Sequence, residues 1–515
     1  MVSRFNILLA TVAMPLGCML GCNPASGPTQ PAGYPETGAA YRAERDELVA
    51  ANATYRFSHD IQLNGAEQQL NEQLVNLRDS MIAQYKQDQF FPPAESVYKS
   101  LSHIESTRLY DMLFRMPKGG VLHMHPPASL NFRWMVDRTI TEPNSYVFWE
   151  ENTDEYVKGQ IRFFATDEAP KGFEPAAALE ETVPGFRDSL YAYLTTGREL
   201  EADSFDIWLE FERCFQRIDG FVHYQPVFKD MYREAFRLMT ESGVQHLEIR
   251  ELLWAGLYDT EHEQGYYNAD TTIRYYKELI QEVRQTVPDF SLKLVYTSLR
   301  FFDVPTIKAD VEEAFRLRKK YPDLIKAYDL VAEEDRGNTT LHYLDAWLMF
   351  DSLQQVYNID LPFCFHDGES SWPDVKNLYD AVLLNSKRIG HGFNLFRFPE
   401  LQEQVKAKDI LVEVSPLSNQ ILGYVDDLRL HPAAGYLAEG IQCSINPDDP
   451  GVFGYRGVTH DYWTAFLAWG LNLRDLKKLI INSITYSNLS EEEKEVALES
   501  WNQRWNRFVN EAISG

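Results

Sequence analysis

The stretch Gly120-Val-Leu-His-Met-His125 is an apolar run that ends in two histidines one residue apart. Alternate side chains of a β-strand point to the same face, so the imidazoles of His123 and His125 aim at one point. Two imidazoles that converge from one strand supply half of a zinc site. This stretch therefore predicts a strand whose C-terminal end carries metal ligands.

Three later apolar runs end in the same way, with a histidine or an acidic residue beside glycine or proline. They are Phe363-Cys-Phe-His-Asp-Gly-Glu369, Arg388-Ile-Gly-His-Gly392 and Cys443-Ser-Ile-Asn-Pro-Asp-Asp449. The strands of a (β/α)8 barrel present catalytic groups at their C-terminal ends in this manner. The four runs together favour a barrel enzyme.

Eight strand candidates follow one another along the chain, and amphipathic helical stretches separate most of them. The candidates lie at residues 119–125, 244–250, 291–297, 325–331, 361–366, 386–391, 409–415 and 440–446. Alternation of strand and helix predicts a parallel sheet, and eight units predict that the sheet closes. The predicted fold class is α/β, a (β/α)8 TIM barrel that occupies residues 116–515.

The N-terminal part of the chain is predicted to lie outside the barrel. Residues 1–22 match a bacterial secretion signal that ends in a lipobox at Met19-Leu-Gly-Cys22, and an ordinary cleaved signal peptide is the alternative. Residues 23–40 are rich in Pro, Gly, Ser and Thr, as in a flexible tether. Residues 41–115 have helical periodicity, which predicts an extension that packs on the barrel or on a second subunit. The expected location is the bacterial cell envelope, with a lipid anchor as the only membrane contact, or the secreted fraction.

The spacing of the strands is regular except between the first and the second. Residues 128–240 are too many for one crossover connection. We expect residues from about 128 to 190 to form an inserted subdomain rich in aromatic side chains, followed by helices near 195–218 and 225–242.

The composition sets broad limits on function. The chain has 515 residues, of which 44% are hydrophobic and 24% charged, and its formal net charge is −27. Such a chain is globular and long enough for a large barrel with additions. The acidic excess argues against nucleic acid as a partner, because phosphate binding needs a basic surface.

The candidate metal ligands fall at three strand ends. His123 and His125 end the first strand, His366 ends the fifth, and Asp448 follows the eighth. Three imidazoles and one carboxylate suit a single zinc ion that keeps room for a water, whose pKa the metal lowers.

Three further residues lie where they could act on a substrate or on that water. Glu369 follows the fifth strand, His391 ends the sixth, and Asp449 is next to a candidate ligand. Glu369 could reach the substrate, His391 could hold or deprotonate the water, and Asp449 could orient the water or His391. Each motif alone has an ordinary structural explanation, so the catalytic hypothesis depends on their joint placement.

Several segments match one known family. They are Met116–His125, His366–Glu369, Arg388–Phe393, Glu413–Gln420, Asp427–Pro432, Asp448–Gly454 and Trp501–Phe508. On these motifs the chain resembles the adenosine deaminase family, and within it the secreted branch known as adenosine deaminase-related growth factors. The resemblance runs from about residue 60 to the C-terminus. It implies a barrel of the metal-dependent hydrolase type, one zinc ion per chain, and a homodimer formed through the N-terminal helical extension.

The resemblance also implies the reaction. Water adds to C6 of adenosine or 2′-deoxyadenosine, and ammonia leaves, so that adenosine becomes inosine. Glu369 would protonate the purine ring nitrogen beside C6, His391 would act as base, and Asp449 would orient the hydroxide. The implied zinc ligands are His123, His125, His366 and Asp448. The implied substrate-binding positions are Trp208, Ala332, Asp367 and Gly368.

Four positions depart from the pattern of the branch, near where the sugar or the base would lie. Pro126 replaces an Asp expected to contact the ribose, Ala332 replaces a Gly, and Leu299 replaces a His. Asp367 replaces an Ala. It points outward if it alternates with His366, and otherwise it would alter the nucleoside preference.

Two other functions remain open from the sequence. The first is a related barrel hydrolase that acts on a different amine, an amide or a modified purine nucleoside, with Glu333 or Glu334 as a bridge between two metals. The second is a surface-anchored protein that binds nucleosides without turning them over.

Overall fold

The structure is a computed structural model that describes residues 37–165, 168–197 and 206–514. The chain divides into two compact units, Met1–Ala53 and Thr54–Gly515. The predicted signal sequence with its lipobox and most of the predicted tether lie outside the described residues. Among those described, no helix combines the length and the apolar character needed to cross a bilayer.

The strands comprise a parallel set and a small antiparallel set. They are β1 (Gly119–Val121), β2 (Ser145–Phe148), β3 (Ile161–Phe163), β4 (Phe173–Pro175), β5 (Val244–Glu251), β6 (Ser291–Leu299), β7 (Ile325–Val331), β8 (His366–Asp367), β9 (Arg388–His391), β10 (Leu411–Val414) and β11 (Cys443–Ile445). The parallel strands β1 and β5–β11 lie within or overlap the eight predicted segments.

The eight parallel strands form two sheets with the orders β1-β5-β6-β7 and β11-β10-β9-β8. Two parallel bridges, Tyr328–Phe363 and Met124–Asp448, connect β7 to the segment before β8 and the end of β1 to the residues after β11. This strand order is that of a (β/α)8 TIM barrel, so the predicted fold class is confirmed.

Helices connect the strands and cover the barrel. They are α1 (Gly38–Ala53), α2 (Gly65–Asp88), α3 (Val97–Glu105), α4 (Arg108–Arg115), α5 (Phe132–Thr141), α6 (Ala176–Thr182), α7 (Phe186–Leu194), α8 (Ile207–Val222), α9 (Gln225–Glu241), α10 (Ala269–Val283), α11 (Val304–Lys320), α12 (Leu344–Trp347), α13 (Met349–Tyr357), α14 (Asn377–Leu383), α15 (Pro399–Ala407), α16 (Pro416–Ile421), α17 (Ala433–Ala438), α18 (Thr459–Ala468), α19 (Leu473–Thr485) and α20 (Glu491–Ser514). The apolar stripe of α10, with Ile273, Tyr276 and Ile280 buried, is typical of this layer.

The predicted extension is helical in its described part. In the first unit, α1 has no buried residue. In the second unit, α2 begins with a capping box between Asn64 and Glu67 and buries Leu70 and Leu74. The Glu67 carboxylate accepts hydrogen bonds from Trp505 Nε1 (2.7 Å) and from a lysine of α19. Helix α2 therefore packs on the C-terminal helices of its own chain, and the predicted dimer contact stays a prediction.

The insertion between β1 and β5 contains the small antiparallel sheet. Its strand order is β3-β2-β4, and α5, α6 and α7 lie around it. Helix α8 then packs on β3. The insertion and α8 thus stand together beside the C-terminal end of the barrel.

The barrel interior contains a network of fully buried charges. Arg388 Nη2 lies 2.7 Å from Glu248 Oε2, and Arg388 Nε lies 2.5 Å from Glu413 Oε1. Arg250 Nη2 contacts Glu413 Oε2 at 2.5 Å, and Arg250 Nε lies 2.8 Å from Asp329 Oδ2. Each carboxylate faces a guanidinium, as buried charges require. The network ties β5, β7, β9 and β10 together.

Removal of one charged partner from this network should lower the stability of the fold. In Arg388→Met, Glu248 and Glu413 each lose a charge partner, and we expect a loss of about 3–5 kcal/mol in the free energy of unfolding. The control is Arg237→Met, which removes an exposed arginine paired with Glu234 and Glu241 and should cost less than about 1 kcal/mol. Urea denaturation measures both, and equal losses would contradict the assignment.

Candidate active site

The four predicted metal ligands meet at the C-terminal end of the barrel. Asp448 Oδ1 lies 3.1 Å from His123 Nε2 and 3.3 Å from His125 Nε2. His125 Nε2 lies 3.2 Å from His366 Nε2. The structure therefore brings together side chains from the ends of β1, β8 and β11.

The surroundings of these groups fit a metal ion. His123 Nδ1 lies 2.9 Å from Glu413 Oε2, and His366 Nδ1 lies 2.7 Å from Asp329 Oδ2. A carboxylate at Nδ1 holds the proton there and leaves the Nε2 lone pair for a metal. His123 Nε2 and Asp448 Oδ1 face each other as buried atoms, and the described residues offer neither of them a hydrogen bond. Buried polar atoms are rarely left in this state, so the pair is suited to share a cation.

His391 stands close enough to belong to the same centre. Its Nε2 lies 3.7 Å from Asp448 Oδ2 and 3.5 Å from Glu369 Oε1. The ligand atoms of His123, His366, His391 and Asp448 all lie within 4.8 Å of one another. Asp448 also groups with His125 and Asp449. The Oδ1 atom of Asp449 is buried, and no hydrogen-bond partner for it exists in the part of the chain that the structure describes. The site thus gathers the other six predicted metal and catalytic residues around Asp448.

Burial sets the charge of the ionisable groups. It lowers the pKa of His366 to about 3, against the attraction of Asp329, and it holds the pKa of His391 well below its usual value. Both imidazoles are therefore neutral at neutral pH, as metal ligands and bases must be. Burial raises the pKa of Glu369 well above its usual value, and the nearby Asp448 adds to this shift. Glu369 accordingly favours its protonated form.

Three site residues have left-handed backbone conformations. The φ angle is +87° at Ala332, +59° at His391 and +61° at Asp448. Non-glycine residues adopt such angles at a cost, and they cluster at functional sites. Each lies at or just after the C-terminal end of a strand. The turn there interrupts the alternation of side chains between the two faces of the strand.

A cavity of about 750 Å³ opens above the centre. Its wall includes His125, Glu369 and Asp449 from the centre and the predicted substrate positions Trp208 and Ala332. Trp208 is anchored, because its Nε1 donates to the Tyr424 hydroxyl at 3.0 Å. Leu299, where the branch often has His, also lines this cavity.

Two predicted substrate positions lie behind the cavity wall instead. Asp367 is fully buried and accepts hydrogen bonds from Arg300 Nη2 and Thr340 Oγ1, both at 2.7 Å. Its side chain therefore points away from His366, as strand alternation requires. The Gly368 N–H donates to Glu334 Oε1 at 3.0 Å. Both residues support the segment between His366 and Glu369.

The charged residues that support the predicted ligands had no assigned role from the sequence. Asp329 and Glu413 hold the imidazoles of two predicted ligands, and Arg250 contacts both carboxylates. The Ser418 hydroxyl donates to Asp448 Oδ2 at 2.8 Å. The sequence does contain a signal for such residues, because a charged residue inside an apolar strand must have a buried partner. The sequence gives no means of finding which partner.

The chain has relatives with known names over most of its length. The adenosine deaminase family model matches residues 195–503. Adenosine deaminase 2 of Sus scrofa is 34% identical over 494 residues, which cover 92% of this chain and 94% of that protein. Adenosine deaminase 2 of Homo sapiens is 32% identical over 485 residues, with 90% and 92% covered. The solved structure of the Arabidopsis N6-mAMP deaminase is 17% identical, with a TM-score of 0.55, and covers 76% of this chain and 99% of that one.

A barrel with a buried histidine and aspartate centre at its C-terminal end defines the class of metal-dependent hydrolases. Within that class, the chain belongs to the adenosine deaminase family, which confirms the resemblance found in the sequence. It is an aminohydrolase, and the reaction of the family is the deamination of adenosine or of related purines.

Replacement of Ala332 by Gly should stabilise the protein. The left-handed conformation costs a non-glycine residue about 1–2 kcal/mol, and the freedom of glycine in the unfolded chain offsets about 0.5–1 kcal/mol. We expect Ala332→Gly to raise the free energy of unfolding by about 0.5 kcal/mol, whereas Ala327→Gly within β7 should lower it by about 1 kcal/mol. Urea denaturation compares the two, and a loss in both would contradict strain at Ala332.

Proposed function

We propose that the protein catalyses the zinc-dependent hydrolytic deamination of adenosine, or of 2′-deoxyadenosine, with release of ammonia. The observation that carries this proposal is the buried meeting of His123, His125, His366 and Asp448 beside Glu369. Three imidazoles and a carboxylate form a donor set that suits one zinc ion. When bound there, zinc supplies a water of lowered pKa.

The side chains of the site then carry the proton transfers. Glu369, protonated because it is buried, donates to the purine ring nitrogen beside C6. His391 accepts a proton from the water, and Asp449 orients the water through its unpartnered Oδ1. The water oxygen bonds to C6, and His391 passes the proton it took from the water to the exocyclic nitrogen. The bond from C6 to that nitrogen breaks, and ammonia leaves. The proton from Glu369 stays on the ring nitrogen, and the last proton of the water returns to Glu369 as the C6 carbonyl forms.

The cavity wall supports a purine nucleoside as the small-molecule substrate. Trp208 offers an aromatic face, and the Ala332 backbone lies where the family resemblance implies a contact to the base. Pro126 and Leu299 depart from the family pattern near the sugar. For this reason a different amine or a modified purine nucleoside is the alternative substrate, and an ammonia-release screen over adenosine, 2′-deoxyadenosine, adenine, AMP and methylated purines decides between them.

The rival with two metals is less well supported. Glu334 Oε1 accepts from the Gly368 N–H and from Asn377 Nδ2, and Glu333 pairs with Arg336 at 2.8 Å. Neither carboxylate belongs to the metal-binding groups found among the described residues. We therefore propose one zinc ion per chain.

We also propose a cellular location and an assembly state for the enzyme. The sequence pattern supports a lipid anchor at Cys22 in the bacterial cell envelope, or release as a secreted protein. The helical segment 41–115 supports a homodimer by the family resemblance. The net charge of −27 supports the absence of a nucleic-acid partner.

The Glu369→Gln variant tests the proposed proton donor without removing a metal ligand. The amide cannot donate the proton, so we expect kcat for adenosine to fall by about 10²- to 10⁴-fold while zinc stays bound. Ammonia release and elemental analysis measure the two quantities. Glu499→Gln, an exposed change, is the control and should leave both unchanged. Parental turnover by Glu369→Gln would remove the proposed acid.

A further inference from the structure

Glu212 is an acidic residue of the cavity wall with an unused hydrogen-bond acceptor. Its Oε1 is buried, and the described residues provide that atom with no hydrogen-bond partner. Glu212 follows Trp208 by four residues on α8, so both side chains lie on the same side of that helix. The structure thus places a carboxylate beside the aromatic residue proposed to contact the nucleoside.

Arg336, the arginine whose charge acts on Glu212, is already paired with two other carboxylates. Arg336 Nε lies 2.8 Å from Glu333 Oε1, and Arg336 Nη2 lies 2.7 Å from Asp206 Oδ1. Burial raises the pKa of Glu212, while Arg336 lowers it only in part. A ligand that donates hydrogen bonds would stabilise a carboxylate in such surroundings, because it would replace the hydrogen bonds that burial removes.

Glu212 lines the cavity that opens above the centre, and the centre determines how a purine nucleoside enters that cavity. C6 of the purine must reach the metal centre and the ring nitrogen beside it must reach Glu369, so the sugar extends outward along the wall. Trp208 and Glu212 line the same cavity as Glu369. Pro126 stands where the family resemblance implies a carboxylate for the ribose, and it offers neither an acceptor side chain nor an N–H.

We propose that Glu212 is a specificity-determining residue that accepts hydrogen bonds from the sugar hydroxyls of a neutral purine nucleoside. Its charge, next to Glu333, also repels a phosphate at the sugar, so nucleotides are poor substrates. This inference rests on the proposed function, since it assigns the substrate class of the same site.

Glu212→Gln tests the proposal because it should act in opposite directions on two substrates. We expect KM for adenosine to rise about 10- to 100-fold, as a charged acceptor is lost, with kcat changed by less than about twofold. Discrimination against AMP should weaken, and kcat/KM for AMP should rise about tenfold. KM for adenine, which lacks the sugar, should stay the same. A general structural defect would not produce these opposite changes.

Two controls complete the experiment. Glu174→Gln removes the same charge from an exposed position of β4 and should change none of these constants. Glu212→Asp keeps the charge but shortens the side chain, so KM for adenosine should rise while AMP stays excluded. Unchanged KM for adenosine and unchanged exclusion of AMP in Glu212→Gln would overturn the proposal. Absence of ammonia release from every purine by the parental enzyme would instead overturn the proposed function.

Discussion

Arg250 joins the buried interior of the barrel to the candidate metal centre, and the remaining geometry depends on it. Its guanidinium contacts the same oxygen of Glu413 that faces His123, and the same oxygen of Asp329 that faces His366. The imidazoles of two proposed ligands are therefore oriented by carboxylates that a single arginine holds in place. The network that stabilises the interior of the barrel and the network that prepares the ligands are one structure.

This arrangement explains how an acidic protein keeps so many ionisable groups out of water. Each carboxylate that supports a ligand has a guanidinium partner, whereas Asp448, Asp449 and Glu369 cluster at the cavity with fewer partners. These three acidic residues, which lack a guanidinium partner among the described residues, are the ones that would bind the metal, orient the water or donate a proton in the proposed deamination. In the described part of the chain, the buried carboxylates inside the barrel are thus neutralised by arginines, whereas the acidic groups at the centre are not. An enzyme that transfers protons is expected to have this pattern.

The sequence predicted the strands, and the positions of the candidate ligands at their ends, for a simple physical reason. Strands that end in His, Glu or Asp beside Gly or Pro mark the catalytic end of a barrel, and His123, His366 and Asp448 all follow that pattern. The sequence left the orientation of Asp367 open, and the structure shows that this side chain turns away from His366 to Arg300 and Thr340. The partners of Arg250 could not be predicted, because pairing across the barrel depends on register. The left-handed turns at His391 and Asp448 likewise leave no mark in a single sequence, and the unpartnered Glu212 is visible only once α8 lies on the cavity.

Anomalous X-ray diffraction at the zinc edge, from crystals of the full chain grown with zinc, tests the central claim most directly. One peak per chain is predicted, about 2.0–2.2 Å from the Nε2 atoms of His123, His125 and His366 and from a carboxylate oxygen of Asp448. No peak at this position, or two peaks bridged by Glu333 or Glu334, would contradict a single metal centre prepared by the Arg250 network.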